Sequence, residues 1–278
     1  MNTYTYKPNS LYDTLSTTLS NTTISTTLSN TINNKYYIIR TGDFANNGNK
    51  KILYSLFAVV LCVDDYYTDN SYDCFSIMIG SSVVWSGIEL FLYLSNTRKI
   101  KPMYLFYSNK QITVPKYLGI CLQGMQEGGV VATFGLYFGD RMFNYKYAIL
   151  YHLFLIYMVV NMSYKQTNNK VLSKRQINAK SSLLLMSAFT MYNVVSLYNN
   201  PEHLYRASML CASMIYMSSI WTIVSYYKGF RKVEVIEYVN SQYIAKPNIW
   251  LDAFYVLSYD VLFEICIAYL TFYNLFVL

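Results

Sequence analysis

The chain has 278 residues, of which 54% are hydrophobic and only 13% charged, against about 25% charged in ordinary soluble domains. Its net charge of +7 sits in stretches flanking long apolar segments, a pattern that orients helices in a bilayer and argues against a nucleic-acid surface. The composition therefore points to an all-α, polytopic transmembrane bundle.

Residues 1–50 form a polar head, expected to be disordered, and residues 51–278 the transmembrane domain. Within the head, residues 16–22 recur as 25–31, rich in Ser, Thr and Asn, residue types that favour local backbone bonds over regular helix. The head lacks the basic start, apolar core and cleavage site of a secretory signal peptide. Asn21 opens a glycosylation sequon that matters only if the head is lumenal.

A hydrocarbon core of about 30 Å needs roughly 20 helical residues. Residues 75–94, 117–138, 147–162, 181–197 and 207–226 meet or approach that length, and 253–278 exceeds it, enough to tilt or protrude. The weakest segment is 52–63, short enough to be an interfacial or re-entrant piece instead of a span.

Charge settles the count. Residues 95–116 carry Arg98, Lys99, Lys101, Lys110 and Lys116 with no acid, and residues 165–180 carry Lys165, Lys170, Lys174, Arg175 and Lys180, again with none. Lys228, Arg231, Lys232 and Lys246 precede the last segment. Cytoplasmic loops accumulate Lys and Arg, so these three loops belong on one side. The loop between the first two segments, residues 64–73, holds Asp64, Asp65, Asp69 and Asp73 with no basic residue, and reads as a solvated outer loop because it lacks calcium-ligand spacing. Seven spans, with the N-terminus cytoplasmic and the C-terminus outside, satisfy every loop. Six spans, leaving the head outside, are the main alternative. The stretch Met103, Tyr104, Leu105, Phe106, Tyr107 between basic residues reads as an interfacial anchor.

Ionisable residues inside spans are costly and mark polar cavities. Glu89 falls in the inner part of the second span, and Glu127 near the centre of the third, flanked by Gln123 and Gln126. His152 lies in the outer part of the fourth, and Asp260 and Glu264 in the middle of the seventh. Asp260 and Glu264 are one helical turn apart and share a face. If that face meets Glu127, mutual repulsion and burial leave a carboxyl able to exchange a proton, with the two glutamines as neutral ligands. The alternative is that each acid is structural, bonded to one of the many tyrosines. Gly124 and Gly128 are spaced for close helix approach, within the chain or as a homodimer seam. Asn193 is an interhelical hydrogen-bonding candidate. The five cysteines read as small packing residues, with a Cys62–Cys74 disulfide as the alternative.

Only two histidines, His152 and His203, are present, and no cofactor or metal motif is found. An enzyme is the weakest reading, with carboxylate-based lipid chemistry as its remaining form. The expected role is movement or sensing of a proton, cation or small polar solute; a receptor-like sensor or membrane scaffold is the alternative. Residues 50–278 resemble heliorhodopsins in span order and orientation, with local likeness at residues 226–229 and at Ala268 and Tyr269. The resemblance implies a retinal-binding lysine in the last span, but Leu262 or Glu264 stands there, so retinal binding does not carry over.

Overall fold

A computed structural model describes residues 34–41, 47–94, 102–108, 110–163, 171–239, 242–247 and 249–278. The tandem repeat and the Asn21 sequon lie outside the described residues.

Seven helical rods dominate. They are α1 (Gly48–Asp69), α2 (Asp73–Leu94), α3 (116–140), α4 (Tyr145–Ser163), α5 (Lys180–Asn199), α6 (Leu204–Tyr227) and α7 (Trp250–Phe276). Each contains a segment that hydropathy singles out. Four stretches, carrying α2, α5, α6 and α7, are long and apolar enough to cross a membrane, which is compatible with an integral membrane protein.

The weak segment 52–63 is the middle of α1, whose 22 residues reach about 33 Å at the helical rise. Hydropathy understates this rod because its charges face inward. Lys51 and Asp65 are buried in the bundle, while Ile52, Leu53, Leu56, Val59, Val60 and Val63 face outward. Other rods expose Ile79, Val83, Leu153, Met191 and Val194 in the same way. Apolar exposure on this scale exceeds what soluble monomers carry. Exposed aromatics collect at both ends: Tyr67, Tyr145, Tyr198 and Tyr205 at one, Tyr117, Tyr227 and Trp250 at the other. That distribution is the pattern of membrane interfaces.

The all-α expectation needs correction. Segments that connect the rods at one end pair into a four-stranded antiparallel sheet of order β4-β1-β5-β6. Its strands are β1 (Lys35–Thr41), β4 (Val171–Gln176), β5 (Arg231–Val239) and β6 (Gln242–Ala245). A hairpin of β2 (Tyr104–Tyr107) and β3 (Lys110–Thr113) lies at the same end, where Tyr104 bridges Asn47 before α1. The head is thus not wholly without structure, since β1 lies within it. Alternation explains β1: Tyr36 and Ile38 turn inward with Val233 and Val235 of β5, onto Ala253, Val256 and Leu257 of α7. The first turns of α7 are therefore covered by sheet, which accounts for the excess length of that segment.

At the far end the connections are short, 70–72, 141–144 and 200–203. Asp64, Asp65 and Asp69 belong to α1 and Asp73 opens α2, so the solvated acidic loop is replaced by two helix ends and a three-residue turn that Asn70 makes in the left-handed region (φ 52°). Gly124 and Gly128 bring α3 against α2. A Cβ at Gly124 would lie 2.4 Å from the Ser86 Cα, and one at Gly128 2.5 Å from the Ser81 carbonyl oxygen. The close approach that their spacing permits is thus made within the chain. Cys62 and Cys74 are buried and unbridged, and the Cys62 thiol lies 3.8 Å from the Met78 sulfur.

Candidate functional site

The three acids singled out from the sequence do come together, at the junction of sheet and bundle. Each meets a guanidinium delivered by a strand. Arg40 of β1 donates to Glu127 at 2.8 Å. Arg175 of β4 donates to Asp260 at 2.6 Å and also to Glu264. Arg231 of β5 donates to the other Asp260 oxygen at 2.9 Å and to the Thr222 hydroxyl of α6 at 2.8 Å. Strand register explains the convergence. Arg40 and Arg231 are direct cross-strand partners, and Arg175 stands opposite Ile38, two residues from Arg40. Residues opposite one another, or two apart, share a sheet face, and here that face looks into the bundle.

The remaining candidates fill in around this core. Gln123 donates to Glu127, and buried Lys51 of α1 donates to Gln123 and, at 3.1 Å, to Gln126. Ser182 of α5 donates to Glu264 at 3.2 Å. Glu89 is buried on α2, near enough to Arg40 for its charge to act there. The cluster thus assembles four cations, Lys51 among them, with four carboxylates. The repulsion that the acids alone would suffer is replaced by attraction. Burial pushes the Arg231 guanidinium down to about 10, against the opposing pull of Asp260, so it stays charged at neutral pH. Glu127 beside it raises Arg40.

Both acid-bearing rods change their winding at this level. Residues Gln126–Val130 of α3 and Asp260–Ile265 of α7 are π-helical, an irregularity that concentrates at functional sites. The Tyr269 hydroxyl, in the regular helix just beyond the α7 irregularity, donates to the Glu127 carbonyl within that of α3. Glu127, Asp260 and Glu264 each touch an arginine of the sheet from near the middle of their own rods.

His152 stands apart. Its Nδ1 donates to the Ala148 carbonyl at 2.6 Å, and its Nε2 accepts from Tyr216 at 3.0 Å on the outer surface of α4 and α6. Asn193 fulfils its expected role, donating to the Ile267 carbonyl of α7 at 3.1 Å and accepting from Asn274 at 2.9 Å.

A second charged cluster, not foreseen from the sequence, closes the far end. Arg141, just past α3, pairs with Asp65 at 2.7 Å and with Asp69. Arg206 pairs with Asp140 at 2.7 Å and with Asp73. An open cavity of about 450 Å³ lies among them, lined in part by Asp65, Asp73, Asp140, Tyr205 and Arg206. Between the clusters, no rod carries Asp, Glu, Lys or Arg; in α1 this stretch is residues 52–63, about 18 Å of helix. Its interior is aromatic, with Phe138 stacked on Tyr151 at 4.4 Å and Phe134 against Phe154 at 4.6 Å.

Arg40, Arg175 and Arg231 are the residues that sequence reasoning missed as site residues. Their only sequence signal is the apolar alternation before Arg40 and after Arg231, short runs that lie far apart. Among the described residues, no group of three His, Cys, Asp or Glu is placed to hold a metal. No protein-family model matches the chain, and neither a curated protein nor a solved structure matches it.

Proposed function

We propose that the chain is a seven-span membrane protein with its N-terminus and sheet in the cytoplasm, handling a proton, cation or small polar solute along a path gated by the arginine–carboxylate cluster. The observation that carries this reading is that three neighbouring strands each send an arginine onto the acids of two rods that are π-wound at those acids. Such a contact has two discrete states, paired and released, which is what a gate requires. The basic connections all belong to the sheet end, which supports a cytoplasmic sheet. In this reading the acids act as the latch of the path, and the 450 Å³ cavity at the opposite end is its outer mouth.

Flux into proteoliposomes tests the gate. Arg175→Gln is expected to raise proton, sodium or potassium flux several-fold over the parent protein, and Glu127→Gln to do the same more weakly. If none of the three ions moves in parent or variants while the protein remains folded, the path does not carry protons or these cations. Orientation is checked separately with tags at the N-terminus, at Asp69 and at the C-terminus; the first should be cytoplasmic and the other two outside. An N-terminus found on the same side as Asp69 would remove α1 as a span.

The aromatic, charge-free layer favours a second reading, a non-conducting sensor or scaffold in which the cluster couples bundle to sheet. Absent flux, together with sheet release in Arg175→Gln, would select it.

A further inference from the structure

We propose that the β2–β3 hairpin is a lipid-binding arm that seats its tip in the headgroup layer beside the bundle and selects anionic phospholipid. The hairpin is fixed at the level where the outward apolar faces of the rods begin. The Asn49 side chain takes both backbone groups of Phe106, accepting from its N–H at 2.7 Å and donating to its carbonyl at 2.9 Å. Leu105 packs over Gly48, where a Cβ would lie 2.8 Å from it, and Met103 covers Gly119 of α3. Immediately beyond these anchors, Ile52 and Leu53 of α1 and Tyr117 and Leu118 of α3 face outward.

From that base the hairpin projects with its side chains uncovered. Phe106 is 51% exposed, Tyr107 75% and Ile112 52%, and all four residues of β3 are exposed. The two strands pair from Tyr104 with Thr113 to Tyr107 with Lys110, so the backbone groups that face between them are satisfied. Aromatic rings with a polar edge partition to this layer. Charge supplies the selectivity. Among the described residues 102–108 and 110–116 the charged side chains are Lys110 and Lys116, with no acid. Lys110 sits opposite Tyr107 at the tip, and Lys116 lies over the Tyr93 ring at 4.3 Å. A basic, aromatic arm beside membrane-crossing rods complements a negatively charged leaflet.

The test uses the full chain in nanodiscs of mixed phosphatidylcholine and phosphatidylserine. Tyr107→Cys carries an environment-sensitive fluorophore, and the unsubstituted protein treated with the same reagent gives the background. Spin label is placed on the headgroup of one lipid or the other. The expected result is stronger quenching from labelled phosphatidylserine than from labelled phosphatidylcholine. That preference should fall roughly fivefold in Lys110→Gln and persist in Lys174→Gln, which alters a sheet lysine away from the arm. No quenching from either lipid would overturn the proposal, since the tip would then face water or protein. Equal quenching from both would overturn the anionic preference.

Discussion

At the far end of the bundle each arginine belongs to the helices it ties: Arg141 follows α3 and Arg206 lies in the first turn of α6, and both reach acids on neighbouring rod ends. At the sheet end every arginine arrives from a different layer, on strands that the chain supplies before α1, between α4 and α5, and after α6. The first arrangement trims the ends of a bundle that aromatic packing already holds. The second joins two layers, and its most buried member, Arg231, is held against Asp260 with both side chains about 5% exposed. Breaking the far-end pairs should loosen rod ends, whereas breaking the sheet-end pairs should part sheet from bundle.

The largest effect is expected at Asp260. Asp260→Ala leaves Arg231 buried without its carboxylate, a loss that costs roughly 3–5 kcal/mol when one partner of a buried pair is removed. Thermal unfolding in detergent should show the loss, and limited proteolysis should show cleavage within the sheet strands before the rods unfold. Replacing both partners together, Asp260→Leu with Arg231→Met, should recover most of the stability, because a buried pair exchanged for apolar groups is often close to neutral. A double variant as unstable as the single one would mean that the pair is not the joint between the layers.

The rods were legible because their signal is local. About twenty apolar residues in a row, or a one-sided apolar stripe as in α1, need no knowledge of distant partners. The acids were legible for the same reason, since Glu127, Asp260 and Glu264 are conspicuous inside apolar runs. The sheet was not. Strand β1 has a burial alternation of only a few residues, and its neighbours β4 and β5 lie more than 130 residues along the chain. Arg175 and Arg231 were seen, but as loop charges that set orientation. That reading fits their sequence surroundings and leaves out the strand register that turns them inward. Nothing local in α7 says that its first turns are covered by sheet.

An intermediate effect is expected at Arg206. Its two carboxylate partners, Asp73 and Asp140, are only partly buried, so Arg206→Ala should cost about 1.5–3 kcal/mol, the range for hydrogen bonds to charged groups. Proteolysis within the sheet strands should stay unchanged, since the sheet does not touch this end. Early cleavage there in Arg206→Ala would erase the distinction between the two clusters.

The smallest effect lies one residue from the critical arginine of β4. Lys174 and Arg175 are adjacent in the strand and so point to opposite faces. Arg175 reaches the acids of α7, while Lys174 pairs with Glu234 of β5 at 2.8 Å on the solvent face, where both side chains are about a third exposed or more. Such pairs contribute about 0–1 kcal/mol and weaken further in salt. Glu234→Gln should therefore shift the unfolding temperature little and leave proteolysis unaltered. Arg175→Gln should fall between Glu234→Gln and Asp260→Ala, because the Arg175 side chain is itself half exposed and water can partly replace its contacts. The order Asp260, Arg175, Glu234 is the decisive result, since the three substitutions probe one sheet from its buried face to its wet one. If Glu234→Gln released the sheet as readily as Arg175→Gln, the strand's two faces would be energetically alike, and the inward arginines would lose their claim to be the joint.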